Sequence, residues 1–189
     1  MTTATLIPPG NFTVQFREFS YTAYRLETLQ SYAGSGEDED LAAFAAGRPE
    51  PGSPEKDEWT AMIAANHRAG RIQQRVHVVT EPLTDYMRFE LTWAYAPNVA
   101  AGEDIRIIPG YRDGEWPYPL PQFDYWLFDS RDMYINRYTE DGIWLGAEPV
   151  EDPDQIVSAC HWRDAALYRA VPWRQYIATR PELHRYLTP

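Results

Sequence analysis

Residues 71–108 constrain the fold most, because two strand patterns flank one long apolar stretch. Residues 75–79 alternate as a strand does, with two valines on one face and charged side chains on the other. Residues 104–108 predict a second strand. The stretch between them, 83–96, places charged side chains among apolar neighbours. This segment therefore predicts part of the core and nominates a site.

The secondary structure of residues 83–96 decides how that site is interpreted. As a strand, Met87, Phe89 and Leu91 would share one face; as a helix, Leu83, Met87 and Leu91 form an apolar stripe. An uninterrupted run of about a dozen residues or more is commoner in helices than in strands. We therefore predict a helix over 83–96, with a strand as the alternative.

Glu90 is the most informative single residue of the segment. In the helical interpretation it lies inside the apolar arc, where a carboxylate is costly unless it is paired with a cation or protonated. Arg75 and Arg106, on the two flanking strands, are the candidate partners. Glu90 is then either half of a structural ion pair or an acid or base with a raised pKa. In the strand interpretation it lies on the polar face, and this argument does not apply.

Other charged and aromatic side chains extend the candidate site. Arg75 and His77 share a strand face and, with Arg106, could bind an anion or a phosphate. Asp85 and Arg88 are three residues apart, the spacing of a pair on a helix surface. Aromatic residues around 124–126 could line a groove for a peptide or a base. The predicted binding pocket comprises Arg75, His77, Asp85, Arg88, Glu90, Arg106, Asp124 and Trp126.

Length and composition predict one globular domain over residues 1–189, with an aromatic fraction of 14% that favours a packed core. Residues 1–11 are expected to form a flexible arm, and residues 34–54 an acidic, proline-rich loop excursion. The pattern of segment 21–32 leaves its structure open. The predicted fold is α+β: a mainly antiparallel sheet of about five strands, with helices at the N-terminus, between the first two strands and at the C-terminus.

The charge of the chain disfavours general affinity for nucleic acids. Its formal net charge is -11, and residues 37–58 hold eight acidic and two basic side chains, so this segment alone carries -6. An acidic protein repels phosphate backbones at long range. A local basic face is the remaining route to nucleic acid, and its candidates are Arg163, Arg169, Arg174, Arg180 and Arg185.

The sequence does not support several other classes of protein: disulfide-bonded, secreted, membrane-spanning or metal-binding proteins, or enzymes with a common catalytic motif. Cys160 is the single cysteine, which excludes an intramolecular disulfide and fits a reducing cytoplasm. There is no signal-peptide pattern and no apolar run near the ~20 residues of a membrane span. The four histidines lack metal-ligand spacing, and the common catalytic motifs are missing. We expect a cytoplasmic protein with no membrane partner, no metal, no cofactor and no identified catalytic residue.

Several phrases of the sequence are specific together: PLTDYMRFE at 82–90, AGEDIR at 101–106 and WLFD at 126–129, with further stretches at 16–29 and 169–177. They resemble an actinobacterial family, the domain of unknown function 6879. The resemblance spans nearly the whole chain. It implies small cytoplasmic proteins often encoded beside helix-turn-helix regulators in Streptomyces-like bacteria, and hence regulation through a partner. The family has no established activity that the resemblance could carry across.

Three functional hypotheses follow from the sequence. The first is a non-enzymatic regulatory or interaction module that binds a protein partner, such as a helix-turn-helix regulator. The second is an enzyme that binds a small molecule or nucleotide in a pocket around Arg75, His77, Glu90 and Arg106. The third is a nucleic-acid-binding protein that uses the C-terminal arginines and aromatic residues.

Overall fold

The computed structural model describes residues 5–34, 36–109 and 116–187. None of the helices in these ranges is both long enough and apolar enough to cross a membrane. The helices are α1 Pro9–Phe12, α2 Gln15–Glu18, α3 Asp38–Ala45, α4 Pro54–Arg68, α5 Asp85–Phe89, a π-helical segment Glu90–Ala94, α6 Tyr95–Ala101, α7 Pro153–Arg169, α8 Trp173–Ala178 and α9 Pro181–His184. The strands are β1 Thr22–Glu27, β2 Ile72–Val78, β3 Asp104–Ile108, β4 Tyr125–Phe128, β5 Asp132–Tyr138, β6 Trp144–Val150 and β7 Val171–Pro172.

The described strands form one mixed sheet in the order β6-β5-β4-β1-β2-β3-β7. Strands β1, β2 and β3 are parallel to their neighbours in that group, and the remaining pairs are antiparallel. The α+β class is confirmed, but the prediction of about five mainly antiparallel strands is wrong. Helices α3 and α4 join β1 to β2, and α5 to α6 join β2 to β3, so each crossover returns the chain in the same direction.

Both faces of the central strands are covered, which explains why the alternation along β2 does not separate buried from exposed residues. On one face Leu26 and Val76 pack with Ala159 and Ala166 of α7. The opposite face carries Arg75, which is nevertheless only 5% exposed. That face lies under the N-terminal helices, α4 and the helical stretch 85–101, and it holds the charged residues of the sheet.

The helix predicted over 83–96 is confirmed as a helical stretch, although it begins at Asp85 and runs to Ala101. The Thr84 side chain caps it by accepting a hydrogen bond from the Met87 amide at 3.0 Å. The π-helical turn at Glu90–Ala94 was not predicted. Pro97 lies just beyond it and has no amide hydrogen for a carbonyl one turn earlier, so the regular ladder is interrupted at this point.

Two segments predicted to be irregular contain ordered structure. Within the expected arm 1–11, of which residues 1–4 lie outside the described ranges, the Ile7 amide and carbonyl bond Ala147 at 2.8 and 2.9 Å. Helix α1 then begins at Pro9 and buries Phe12. Within the expected loop 34–54, helix α3 occupies Asp38–Ala45, so that prediction is wrong there. The acidic run lies in the first turn of α3, where negative charge stabilises a helix N-terminus.

Candidate functional site

A cavity of about 480 Å³ lies on the charged face of the sheet. Strands β1, β2, β4 and β5 supply its floor, while α1, α2, α4 and the π-helical segment supply its walls. The polar side chains of the floor include Arg25, Glu27, Arg75 and Asn136, and Glu90 belongs to the π-helical wall. The lining is largely aromatic, with Phe12, Phe16, Tyr32, Trp59, Tyr86, Trp126, Tyr138 and Trp144.

Strand register assembles the floor. Arg25 of β1 lies beside Arg75 of β2 on one side and Trp126 of β4 on the other. Residues paired across neighbouring strands point to the same face of a sheet, so these three side chains converge. Glu27, two residues after Arg25, points to the same face because side chains alternate along a strand. The short pattern of β1 therefore places an arginine and a glutamate in the cavity.

Glu27 is the centre of a buried charge network. Its Oε1 atom accepts a hydrogen bond from Arg75 Nη1 at 2.9 Å and lies 3.0 Å from Arg25 Nη1. The Tyr95 hydroxyl donates to its other oxygen at 2.7 Å. Burial alone would raise the pKa of Glu27, but Arg25 and Arg75 lower that pKa to about 2. Glu27 is therefore a carboxylate that holds two arginines in place.

Glu90 lies in the same cavity in a different electrostatic state. It is 4% exposed, its Oε1 atom is 4.0 Å from Arg75 Nη1, and its Oε2 atom has no hydrogen-bond partner in the described structure. Burial, followed by the negative charges of Glu37 and Glu27, raises the pKa of Glu90 well above its ordinary value. Glu90 is also the first residue of the π-helical segment, a kind of irregularity that is frequent at functional sites.

Arg75 donates hydrogen bonds to two buried carboxylates. Its Nε donates to Glu103 Oε1 at 3.0 Å, in addition to the bond from Nη1 to Glu27. Burial alone would lower the pKa of Arg75, but Glu103 and Glu27 raise that pKa well above its usual value. The guanidinium also lies 5.4 Å from the centre of the Tyr95 ring, within range of a cation–π contact.

His77 and Asp124 lie behind the cavity rather than in its lining. The His77 ring is 0% exposed, with Nδ1 2.7 Å from the Tyr95 hydroxyl and Nε2 2.7 Å from the Leu29 carbonyl oxygen. Burial lowers the pKa of His77 below its ordinary value. Asp124 accepts hydrogen bonds from the hydroxyls of Tyr32 at 2.6 Å and Tyr138 at 3.0 Å. It therefore fixes two of the aromatic walls.

Three residues of the predicted pocket lie outside the cavity. Arg106 pairs with Val76 in the β2–β3 register, so it points to the sheet face opposite Arg75 and bonds Asp104 instead. Asp85 and Arg88 form the expected ion pair on the helix surface at 2.5 Å. Of the eight predicted residues, the structure brings Arg75, Glu90 and Trp126 together in the cavity lining.

The sequence did not identify several residues of the cavity. Arg25 and Glu27 lie in the segment 21–32, whose secondary structure the sequence left open. A signal was present, since Tyr24 and Leu26 alternate with those two charged residues as in a half-buried strand. Asn136 and Trp144 lie on β5 and β6, and nothing in a strand pattern shows which strand faces a cavity.

Four polar atoms of the cavity-lining residues are buried without a hydrogen-bond partner in the described structure. They are Arg25 Nε, Glu90 Oε2, Asn136 Oδ1 and Trp144 Nε1. Such atoms are rare in folded proteins, because each loses its bonds to water on burial. The residues that carry these two nitrogen donors and two oxygen atoms all line the cavity, so polar groups without partners lie beside it. Within the described ranges, no group of three His, Cys, Asp or Glu side chains is placed to hold a metal ion.

Comparison with known proteins agrees with the phrases noted in the sequence. A search of curated proteins gives no match. The family model described as a domain of unknown function (DUF6879) matches residues 10–178, which include every strand of the sheet and the whole cavity floor. The chain belongs to the DUF6879 family.

Proposed function

We propose that the protein is a non-enzymatic module that binds a small molecule in the cavity above β1, β2, β4 and β5. The observation that carries this proposal is the set of four buried, unpartnered polar atoms among the residues that line the cavity. The volume of about 480 Å³ lies within the usual range for ligand pockets. A mainly aromatic wall with a few placed polar atoms is also typical of such pockets.

Binding is favoured over catalysis by the position of His77. Proton transfer usually depends on a histidine or carboxylate within hydrogen-bond reach of the substrate. His77 lies behind the wall with both ring nitrogens engaged. Glu27 is occupied by Arg25 and Arg75. The enzyme hypothesis requires four side chains in one pocket. Two of them, His77 and Arg106, lie outside the cavity.

Binding of a protein partner, such as a helix-turn-helix regulator in the cytoplasm, stays a prediction. Asp38 and Glu39 are exposed at the start of α3 and could meet a basic surface. Asp40, by contrast, is buried and lies 3.6 Å from Lys56 Nζ, so part of the acidic run serves the fold. Co-purification from a native host, repeated at increasing salt concentration, tests this interaction; loss of every partner at all salt concentrations would contradict it.

The ligand-binding proposal is tested by blocking the cavity. Thr13 is an exposed residue in the cavity lining, and its neighbour Val14 is exposed but does not line the cavity. Thr13→Trp should fill the entrance, whereas Val14→Trp adds the same ring outside it. Protein purified from the host, or incubated with a host extract, is denatured, and the released molecules are identified by mass spectrometry.

We expect a small molecule to be released from the wild-type protein and from Val14→Trp, and to be lost or reduced about tenfold or more in Thr13→Trp. Circular dichroism of each variant checks that the fold is retained. Equal retention by both variants, or no bound molecule in the wild-type protein, would count against a ligand cavity.

A further inference from the structure

The charges around the cavity disfavour an anionic ligand. Each cationic side chain of the described lining already has a carboxylate partner: Arg75 has Glu27 and Glu103, Arg25 has Glu27, and Lys56 has Asp40 and Glu50. Carboxylates outnumber these three cations, because five of them, Glu27, Asp40, Glu50, Glu103 and Asp124, lie within 4 Å of the cations, and Glu55 also lines the cavity. An anion would therefore compete with existing partners, while a cation would meet a surplus of negative charge.

Glu90 is a cavity-lining carboxyl group with a buried oxygen that has no hydrogen-bond partner in the described structure. It faces Arg75 and Glu27 from the strands, Glu37 from the segment before α3, and Tyr86 and Tyr95 from its own helical stretch. Its Oε2 atom has no partner in the described structure. A cationic group at this atom would gain a charge-assisted hydrogen bond and offset the repulsion from Glu37 and Glu27.

The aromatic walls suit a cation as well. The Arg25 guanidinium already lies 5.6 Å from the centre of the Tyr32 ring and 5.5 Å from that of Trp126. Trp59 and Tyr86 present further rings to the cavity. The face of an aromatic ring attracts a cation, most strongly where water is excluded.

We propose that the ligand is a small organic cation, a molecule with a protonated amino or amidino group on a flat apolar body, whose N–H groups bond the Glu90 carboxylate. This inference rests on the proposed function, since it names the class of molecule that the cavity takes. Binding displaces the proton of Glu90 to solvent, so that the complex holds an amidinium or ammonium against a carboxylate.

Three probes of nearly equal shape test the ligand class: benzamidine, which is cationic, benzamide, which is neutral, and benzoate, which is anionic. Their affinities are measured by calorimetry near neutral pH. We expect benzamidine to bind about tenfold tighter than benzamide, because a hydrogen bond to a charged group is stronger than one between neutral groups. Benzoate should bind most weakly of the three.

Two further measurements distinguish binding at Glu90 from nonspecific binding of the probe. Benzamidine binding should release a proton, detected as a dependence of the binding heat on the ionisation enthalpy of the buffer. Its affinity should rise with pH, by up to about tenfold per pH unit, until Glu90 is ionised in the free protein. Glu90→Gln should remove both effects and the preference for benzamidine, whereas Asp85→Asn, an exposed change on the same helical stretch, should leave them intact.

The wild-type measurements need no variant, so they remain decisive if Glu90→Gln fails to fold. Benzamidine that binds no tighter than benzamide, releases no proton, or does not bind at all would overturn the cationic class. If benzamide or benzoate binds and Thr13→Trp blocks it, the cavity still binds ligands and only the charge class is wrong. If Thr13→Trp changes no binding, the proposed function itself fails.

Discussion

Glu27 and Glu90 both neighbour Arg75, yet their pKa values shift in opposite directions. Glu27 bonds Arg75 and lies against Arg25, and its pKa falls to about 2. Glu90 lies 4.0 Å from Arg75, and burial, followed by the charges of Glu37 and Glu27, raises its pKa. Two carboxyl groups with pKa values pushed apart in one cavity are typical of a site in which one group positions and the other exchanges a proton or a ligand.

The raised pKa of Glu90 predicts a cost to stability. A carboxyl group whose pKa is higher in the folded state binds more protons there, so its contribution to stability falls as pH rises above its ordinary value of 4.5. Glu90→Gln removes this titration. We expect the variant to exceed the wild type in free energy of unfolding by about 1 kcal/mol near pH 8, with the difference vanishing towards pH 4.5.

Urea denaturation of both proteins across this pH range measures the difference, and titrations shared by the two proteins cancel. Loss of stability in Glu90→Gln at every pH would show instead that Glu90 is ionised and paired with Arg75. Gain of stability with loss of benzamidine binding is the pattern expected of a residue retained for a ligand rather than for the fold.

Sequence reasoning identified Glu90 but not its surroundings. An apolar helical arc shows that a carboxylate within it is buried, so Glu90 could be found from the pattern of 83–96 alone. The partner cannot be found in this way: Arg75 and Arg106 lie on adjacent strands, and only the register, which pairs Arg106 with Val76, shows that they point to opposite faces. A shift of one residue in the register of β3 would turn Arg106 to the same face as Arg75.

Among the elements, β6 is the one most restricted by close backbone contact. Gly146 has a φ of +139°, and a Cβ atom there would lie 2.5 Å from the Ile7 carbonyl oxygen. This contact docks the chain before α1 on β6, through the two hydrogen bonds between Ile7 and Ala147. Helix α1 contributes Phe12 to the cavity wall, so the glycine indirectly positions part of the site.

Gly146→Ala should therefore lower the free energy of unfolding by about 3 kcal/mol, from backbone strain and from the displaced Ile7 segment. Urea denaturation measures the loss, and hydrogen exchange should show faster exchange at the Ile7 and Ala147 amides. Gly52→Ala is the matched control, since Gly52 also has a positive φ, +71°, but nothing within 4 Å of an added Cβ. Its cost should be about 1 kcal/mol, and equal losses in the two variants would contradict a steric role for Gly146.

Element prediction succeeded where local signals are strong and failed where long-range pairing decides. The apolar periodicity of 83–96 is a local signal, and the helical stretch 85–101 follows from it. Strand β7 has two residues and forms only because β3 offers an open edge. Parallel pairing of β1, β2 and β3 likewise depends on crossovers that no short window of sequence contains.

For the molecule as a whole, the sheet separates two environments. Helix α7 covers an apolar face that includes Leu26 and Val76, while the opposite face concentrates Arg25, Glu27 and Arg75 under the N-terminal helices. The buried charges therefore lie together rather than scattered through the core. Burial of so many charges costs stability, and their concentration at one cavity is the reason to seek function there.

The distribution of charge over the whole molecule also addresses the nucleic-acid hypothesis. Two of the five C-terminal arginines have carboxylate partners, Arg163 with Asp164 and Arg180 with Glu81. Arg174 and Arg185 lie over the rings of Trp173 and Tyr186. With a net charge of -11, phosphates would have to displace these contacts against a repulsive field.

We therefore expect no binding of duplex or single-stranded DNA or RNA at about 50 mM salt, where phosphate contacts are strongest. Fluorescence anisotropy of labelled oligonucleotides, titrated with protein to high concentration, measures this directly, and a basic DNA-binding protein serves as the positive control. A signal that weakens steeply with salt and disappears in the double variant Arg174→Ala, Arg180→Ala would restore the nucleic-acid hypothesis. A signal that the double variant retains would place nucleic acid elsewhere on the molecule, and Thr13→Trp would then show whether a base occupies the cavity.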